Sequence, residues 1–163
     1  MIKLTAKIIF LLTIITVTIS CIKNNDAQDM IFDFYKQYLS SSINEPEKKE
    51  LIKKYCTNNM LDMLDILYSF DEENGLIIGT DYDPFLNAQD SFPLETLRIE
   101  KKDSNKYNIS WDKTDINVTL NVIKDNNIWK IDSIDIDNFE QIKNDVISYW
   151  KEKGKNNPKI FGK

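Results

Sequence analysis

The 163-residue chain contains no histidine. That absence removes Ser-His-Asp and Cys-His catalysis, and with them every metal site that depends on an imidazole. Cysteine is scarce as well. Cys21 and Cys56 are too few for a disulfide framework or a four-thiolate zinc site. There is no basic excess: 26 acidic side chains face 21 basic ones, a formal charge of −5. Nucleic-acid binding, which needs concentrated Lys and Arg, is therefore not expected. Nor is there an apolar run of roughly 20 residues, the length a spanning helix needs. The length favours one domain, large enough to bury a core without a metal or disulfide staple. No cofactor and no resident metal are expected.

What is present first is a leader. Lys3 and Lys7 supply a positive start, and Ile8 to Ile19 is apolar with only threonines interrupting it. This is the length of a signal-peptide core rather than of a transmembrane helix. Val17-Thr18-Ile19-Ser20-Cys21 closes it and resembles the lipobox of bacterial lipoproteins. A small residue stands before the cut and a thiol after it, although Thr18 replaces the usual Leu. The resemblance implies removal of residues 1–20, a lipid such as palmitate on Cys21, and a membrane held as partner through that lipid. Removal takes two lysines and no acid, moving the formal charge from −5 to −7. Residues 21–27 read as a polar tether without a dense acidic cluster. The expected location is the cell envelope, with the domain outside the cytoplasm and facing the periplasm. Cys56 then reads as a buried small side chain, not a nucleophile.

The mature chain divides by periodicity. Met30, Ile31, Phe34, Tyr35, Tyr38 and Leu39 recur at helical spacing over residues 28–41. A second helix is expected from Glu47 to Tyr55 behind Pro46, and a third behind Thr57 or Asn58 to Tyr68. Residues 71–93 read as irregular, punctuated by Gly75, Gly79, Pro84 and Pro93. Beyond them the period becomes two: Leu97/Ile99, Tyr107/Ile109/Trp111, Ile116/Val118/Leu120/Val122 and Trp129/Ile131. Four antiparallel strands in a meander follow. Asn138 with Gln141 resembles a capping box opening a last helix to Lys153. A single domain over residues 28–154 and a flexible basic tail over 155–163 complete the layout. Helices first and strands later is α+β segregation.

That order resembles the cystatin-like roll shared with nuclear transport factor 2-like proteins. Asp81-Tyr82-Asp83-Pro84-Phe85 and Ala88-Gln89-Asp90, with the Tyr-rich first helix, look like a family of bacterial lipoproteins of unknown function. The resemblance covers roughly residues 29–135 and implies a fold without an assigned chemistry.

Asp81, Asp83, Asn87, Gln89 and Asp90 put five oxygen-bearing side chains in ten residues. One reading is a hard-cation site such as calcium. An EF-hand loop does not match, because Asn87 rather than glycine stands six residues after Asp81 and no bidentate Glu follows. Paired-carboxylate catalysis is a second reading, without a nucleophile or substrate cue. The third, which we favour, is turn building: Asp and Asn bond their own backbone while Phe85 and Leu86 enter the core. Tyr107, Trp111 and Trp129 are candidates to line a cavity between sheet and helices, with apolar filling as the commoner outcome.

Function is thus expected to be non-catalytic: a lipid-anchored binding or accessory module for an envelope protein of basic charge or a small ligand. An immunity or inhibitor lipoprotein neutralising a basic toxin or hydrolase is the alternative. An Asp-dependent hydrolase or isomerase is the least favoured.

Overall fold

A computed structural model describes residues 26–161, so the leader, Cys21 and most of the tether lie outside the described residues. Three helices come first. Helix α1 (Ala27–Tyr38) is capped by Asp26, whose side chain accepts from Gln28 N. Its stripe of Met30, Ile31, Phe34, Tyr35 and Tyr38 is buried. The helix stops three residues short of the expected Ser41. Ser40 and Ser42 bond one another through their hydroxyls at 2.9 Å, the local side-chain bonding that competes with helix continuation. Helix α2 (Glu45–Tyr55) opens with a capping box between Asn44 and Glu47 and carries Pro46 in its first turn. Helix α3 (Asn58–Leu67) is capped by Thr57, whose hydroxyl accepts from Met60 N at 3.3 Å.

Residues 71–93 are less irregular than their composition suggests. Strands β1 (Phe70–Asp71) and β2 (Leu76–Ile77) form a short hairpin, and a single bridge joins Asp83 to Ala88. The meander follows as β3 (Leu97–Lys101), β4 (Lys106–Trp111), β5 (Asn117–Asp125) and β6 (Ile128–Asp135). All neighbours are antiparallel, in the order β3-β4-β5-β6. Helix α4 (Phe139–Glu152) ends the regular structure. The fold is α+β, helices before sheet, as the change of period predicts.

One sheet face is the core. Tyr107, Ile109, Trp111, Val118, Leu120, Val122 and Ile131 point inward against Phe34, Tyr35, Met60 and Leu64. Each such side chain contributes roughly 1.5–3 kcal/mol over its exposed state. The other face presents Asn108, Ser110, Thr119 and Asn121, the half-exposed polar residues of the alternation.

Three details depart from the sequence reading. First, β6 carries a bulge. Val122 pairs with Ile131 and Asn121 with Ser133, leaving Asp132 as an extra residue. The bulge turns Asp132 toward α3, where Oδ1 accepts from the Thr57 hydroxyl at 2.7 Å and the carbonyl accepts from Asn59 Nδ2 at 2.9 Å. Second, the capping box at Asn138 does not form. Asn138 is left-handed, with φ 59°, and its side chain caps nothing; Gln141 reaches forward to Asp145 instead. The chain leaves β6 through a tight turn, and an N-cap needs extended backbone to aim its oxygen at the first N–H groups.

Third, the segment expected as a flexible tail is docked from Lys155 to Phe161. Asp65 Oδ1 accepts from the backbone N–H groups of Ile160 and Phe161, both at 2.8 Å. Asn157 donates to the Asp65 carbonyl and accepts from the Ser69 hydroxyl. Phe161 is buried beside Tyr68, with ring centroids 6.1 Å apart. The apolar pair Ile160-Phe161 gives the segment something to bury, which Lys and Asn alone would not.

Candidate functional site

The loop from Gly79 to Asp90 is positioned by close approach to α3. A Cβ on Gly79 would lie 2.2 Å from the Leu67 carbonyl oxygen, so only glycine lets the chain pass there. Thr80 N then donates to that same carbonyl at 2.8 Å, completing the end of α3.

Asp83 is the centre of the loop. Its Oδ1 accepts from Phe85 N at 2.9 Å, and its Oδ2 accepts from the Tyr38 hydroxyl at 2.6 Å and from Lys48 Nζ at 3.2 Å. Its carbonyl accepts from the N–H groups of Leu86 and Asn87. One carboxylate thus ties the loop to α1 and α2. Pro84, Phe85 and Leu86 are buried beneath it. Phe85 packs on Phe34 and Tyr38 at 4.9 and 5.2 Å, and its carbonyl accepts from the buried Tyr35 hydroxyl at 2.8 Å.

The other members of the oxygen-rich group diverge from Asp83. Asn87 is left-handed at φ 49° and donates to the Asn117 carbonyl at 3.4 Å. Gln89 donates to Asp81 at 3.3 Å, both exposed, and Asp90 is exposed apart from them. Among the described residues no three His, Cys, Asp or Glu side chains are placed to hold a metal ion.

An open groove of about 450 Å³ runs beside Asp83, walled by Lys48, Ile52, Tyr68, Ile77, Ile160 and Phe161. Lys48 Nζ sits 4.3 Å over the Tyr38 ring. Burial, then the neighbouring Tyr68 and the Asp83 charge, push the Tyr38 phenol well above its ordinary range. Burial and Asp83 do the same to Tyr68. Neither phenol is a base at neutral pH, and the Tyr38 hydroxyl acts as a hydrogen-bond donor to Asp83.

Of the three cavity candidates, Tyr107 and Trp111 are buried in the core. Trp111 stacks on Phe92 at 4.7 Å and meets Tyr35 edge-on at 6.1 Å. Trp129 packs against the edge of the core, half-exposed on the β5–β6 hairpin under Lys124 at 5.1 Å. Cys56 is buried, and burial pushes its thiol far above the reactive range.

Two features lie outside the oxygen-rich loop. A groove of about 670 Å³ runs between α3, the end of β6 and the start of α4. Met63, Ile66, Ile134 and Phe139 form its floor, and Asp62, Asp137 and Lys143 stand at its rim. Its volume falls in the range of small-molecule sites. The second feature is Asp71, buried at the hairpin. It accepts from Lys153 Nζ at 2.6 Å, from Asn74 Nδ2 at 2.8 Å and from the Tyr149 hydroxyl. Those donors, Lys153 first, hold its carboxyl well below the usual carboxylate range. The sequence hints at neither, because the contributing residues are far apart along the chain.

Comparison with known proteins shows the fold alone. No protein-family model matches the chain, and no curated protein matches it. A solved structure, a protein of unknown function from Bacteroides thetaiotaomicron, is similar at 23% identity and a TM-score of 0.54. The similarity covers 68% of this chain and 88% of that one.

Proposed function

We propose that the protein is a lipid-anchored envelope lipoprotein whose domain is a non-catalytic binding or accessory module. The observation that carries the reading is the leader: a basic start, an apolar run from Ile8 to Ile19, and Cys21 where that run stops. The internal chemistry of the domain agrees with it. Asp65, Asp71 and Asp83, its most enclosed carboxylates, are each engaged by backbone N–H groups or lysines. The groove beside α3 and β6 offers an apolar floor with a charged rim, which suits a small amphipathic ligand or a partner's side chain.

The anchor is tested by growing cells with an alkyne palmitate and comparing the native chain with Cys21→Ser. Label on the native chain alone supports the reading; label on neither, or on both equally, refutes it.

Net charge favours a second reading, in which the acidic domain neutralises a basic hydrolase. A chain at −5 attracts a cationic partner through a long-range field that salt screens. A lysozyme titrated against the protein is the probe. Salt-sensitive binding that suppresses cell-wall hydrolysis supports inhibition; absence of both removes it.

A further inference from the structure

We infer that the projecting β5–β6 hairpin is a second, protein-borne membrane contact, directed at the headgroups of an anionic bilayer. The inference rests on the lipid-anchor reading and adds the face that the domain turns to the lipid.

The geometry begins with where the chain enters. Asp26 stands five residues after Cys21, so the connecting chain reaches no further than about 18 Å. Helix α1 runs away from the hairpin-tip end of the sheet, with Gln28 beside the middle of β3. Gln28 donates to the Ile99 carbonyl at 3.5 Å, while Tyr35, two turns on, packs against Trp111 at the opposite end of β4. The charge of Asp26 also reaches Tyr107, next to the first residue of β4. Because neighbouring strands are antiparallel, the β3–β4 and β5–β6 turns share this end.

One hairpin extends past the rest. Strand β4 begins at Lys106, opposite Asn121, and Val122 N still donates to the Asn105 carbonyl. From Ile123 to Lys130 only β5 and β6 continue, paired with each other. Three residues of β5, Ile123 to Asp125, at about 3.4 Å each carry the tip roughly 10 Å further. Asn126 and Asn127, at φ 49° and 66°, make the tight left-handed turn that stiffens it.

The composition of this projection suits an interface. Ile128 is 56% exposed at the very tip, and Ile123 is exposed beside it. Trp129 is half-exposed, with Lys124 over its ring at 5.1 Å, and Trp is a residue that settles at headgroup depth. Lys101 and Lys102 on the neighbouring turn and Lys124 on the hairpin are exposed, with Lys130 half-exposed. On the projection itself, residues 123–130, Lys124 and Lys130 oppose Asp125 alone, in a chain whose overall charge is −5, while Lys106 beside it is paired with Asp135. The projecting hairpin is thus locally positive on an acidic molecule. An isolated weak contact becomes significant here, because the anchor supplies a high local concentration of lipid.

The test uses the full chain, matured in a bacterial host, purified and reconstituted into vesicles of phosphatidylglycerol and phosphatidylcholine with brominated acyl chains. Mass spectrometry first reports the acyl mass on Cys21. Tryptophan emission then reports contact, since bromine quenches indole only at close range. With the acyl mass present, we expect loss of up to about a third of the emission, Trp129 being one of three tryptophans. That loss should vanish in Trp129→Phe and fall severalfold in Lys124→Glu/Lys130→Glu, or when phosphatidylglycerol is omitted. An acylated chain without quenching overturns the inference and leaves the anchor standing. Quenching indifferent to both the lysines and phosphatidylglycerol overturns the anionic bilayer as the occupant. A chain without acyl mass overturns the lipid-anchor reading itself.

Discussion

Asp83→Ala separates a structural carboxylate from a ligand-holding one. The substitution strips the acceptor from two buried donors, the Tyr38 hydroxyl at 2.6 Å and the Phe85 N–H at 2.9 Å. A buried donor left without a partner costs about 1–3 kcal/mol. The Lys48 pair, at the rim of the site, adds about 0–1 kcal/mol. Water recovers part of this, since the Asp83 side chain is 15% exposed. The expected loss is about 3 kcal/mol, or a fall in Tm of about 10 °C for a domain of this size. Asp83→Asn keeps one oxygen for Phe85 and should lose about half as much. Urea unfolding followed by far-UV circular dichroism measures both, with and without millimolar calcium. A loss below about 0.5 kcal/mol for the alanine variant refutes the structural argument. A loss seen only in the presence of calcium would restore the cation reading of the loop.

Gly79→Ala should cost about 2–4 kcal/mol in the same assay, because the new Cβ meets the Leu67 and Ile66 carbonyl oxygens at 2.2 and 2.6 Å. Asp71, with its carboxyl held below the ordinary range, contributes stability that is fully present above its unfolded value near pH 4 and is lost as pH falls through the depressed folded value. Thermal melts across that acid range should therefore decline in the native chain, with a shallower decline in Asp71→Asn. Cys56 should resist iodoacetamide in the native protein and react in urea, as mass spectrometry will show. Removal of residues 155–163 uncovers the Phe161 site and leaves Asp65 Oδ1 without its two donors, for an expected loss of about 2–4 kcal/mol in urea unfolding.

The elements legible in the sequence are those whose signal is periodic. The α1 stripe from Met30 to Tyr38 and the alternation from Tyr107 to Val122 each repeat often enough to declare a buried face. The turn chemistry of Asp83-Pro84-Phe85 is also local, and three of its backbone bonds close within four residues. What escaped is set by tertiary contact. The bulge at Asp132 has no residue-type signature, and only pairing with Asn121 and Val122 defines it. Asn138 and Gln141 have the spacing of a capping box, but the turn out of β6 imposes a left-handed backbone. The docked tail rests on two apolar residues, too few to show a period. Tyr38 finds Asp83 across 45 positions, a separation at which nothing local signals the pair.

These commitments decide where function is to be sought. A substitution at Asp65, Asp71 or Asp83 releases donors that the fold depends on, so lost activity in such a variant would report unfolding. Informative positions are those the fold can do without. On the groove rim these are Asp137 and Lys143, and on the hairpin they are Lys124, Ile128 and Lys130. Surface changes of this kind usually move stability by less than about 0.5 kcal/mol. A change in membrane contact or ligand capture at unchanged Tm can then be assigned to the surface itself. The projecting tip, residues 123–130, contributes nothing to the groove lining, so a variant in one leaves the other as an internal control.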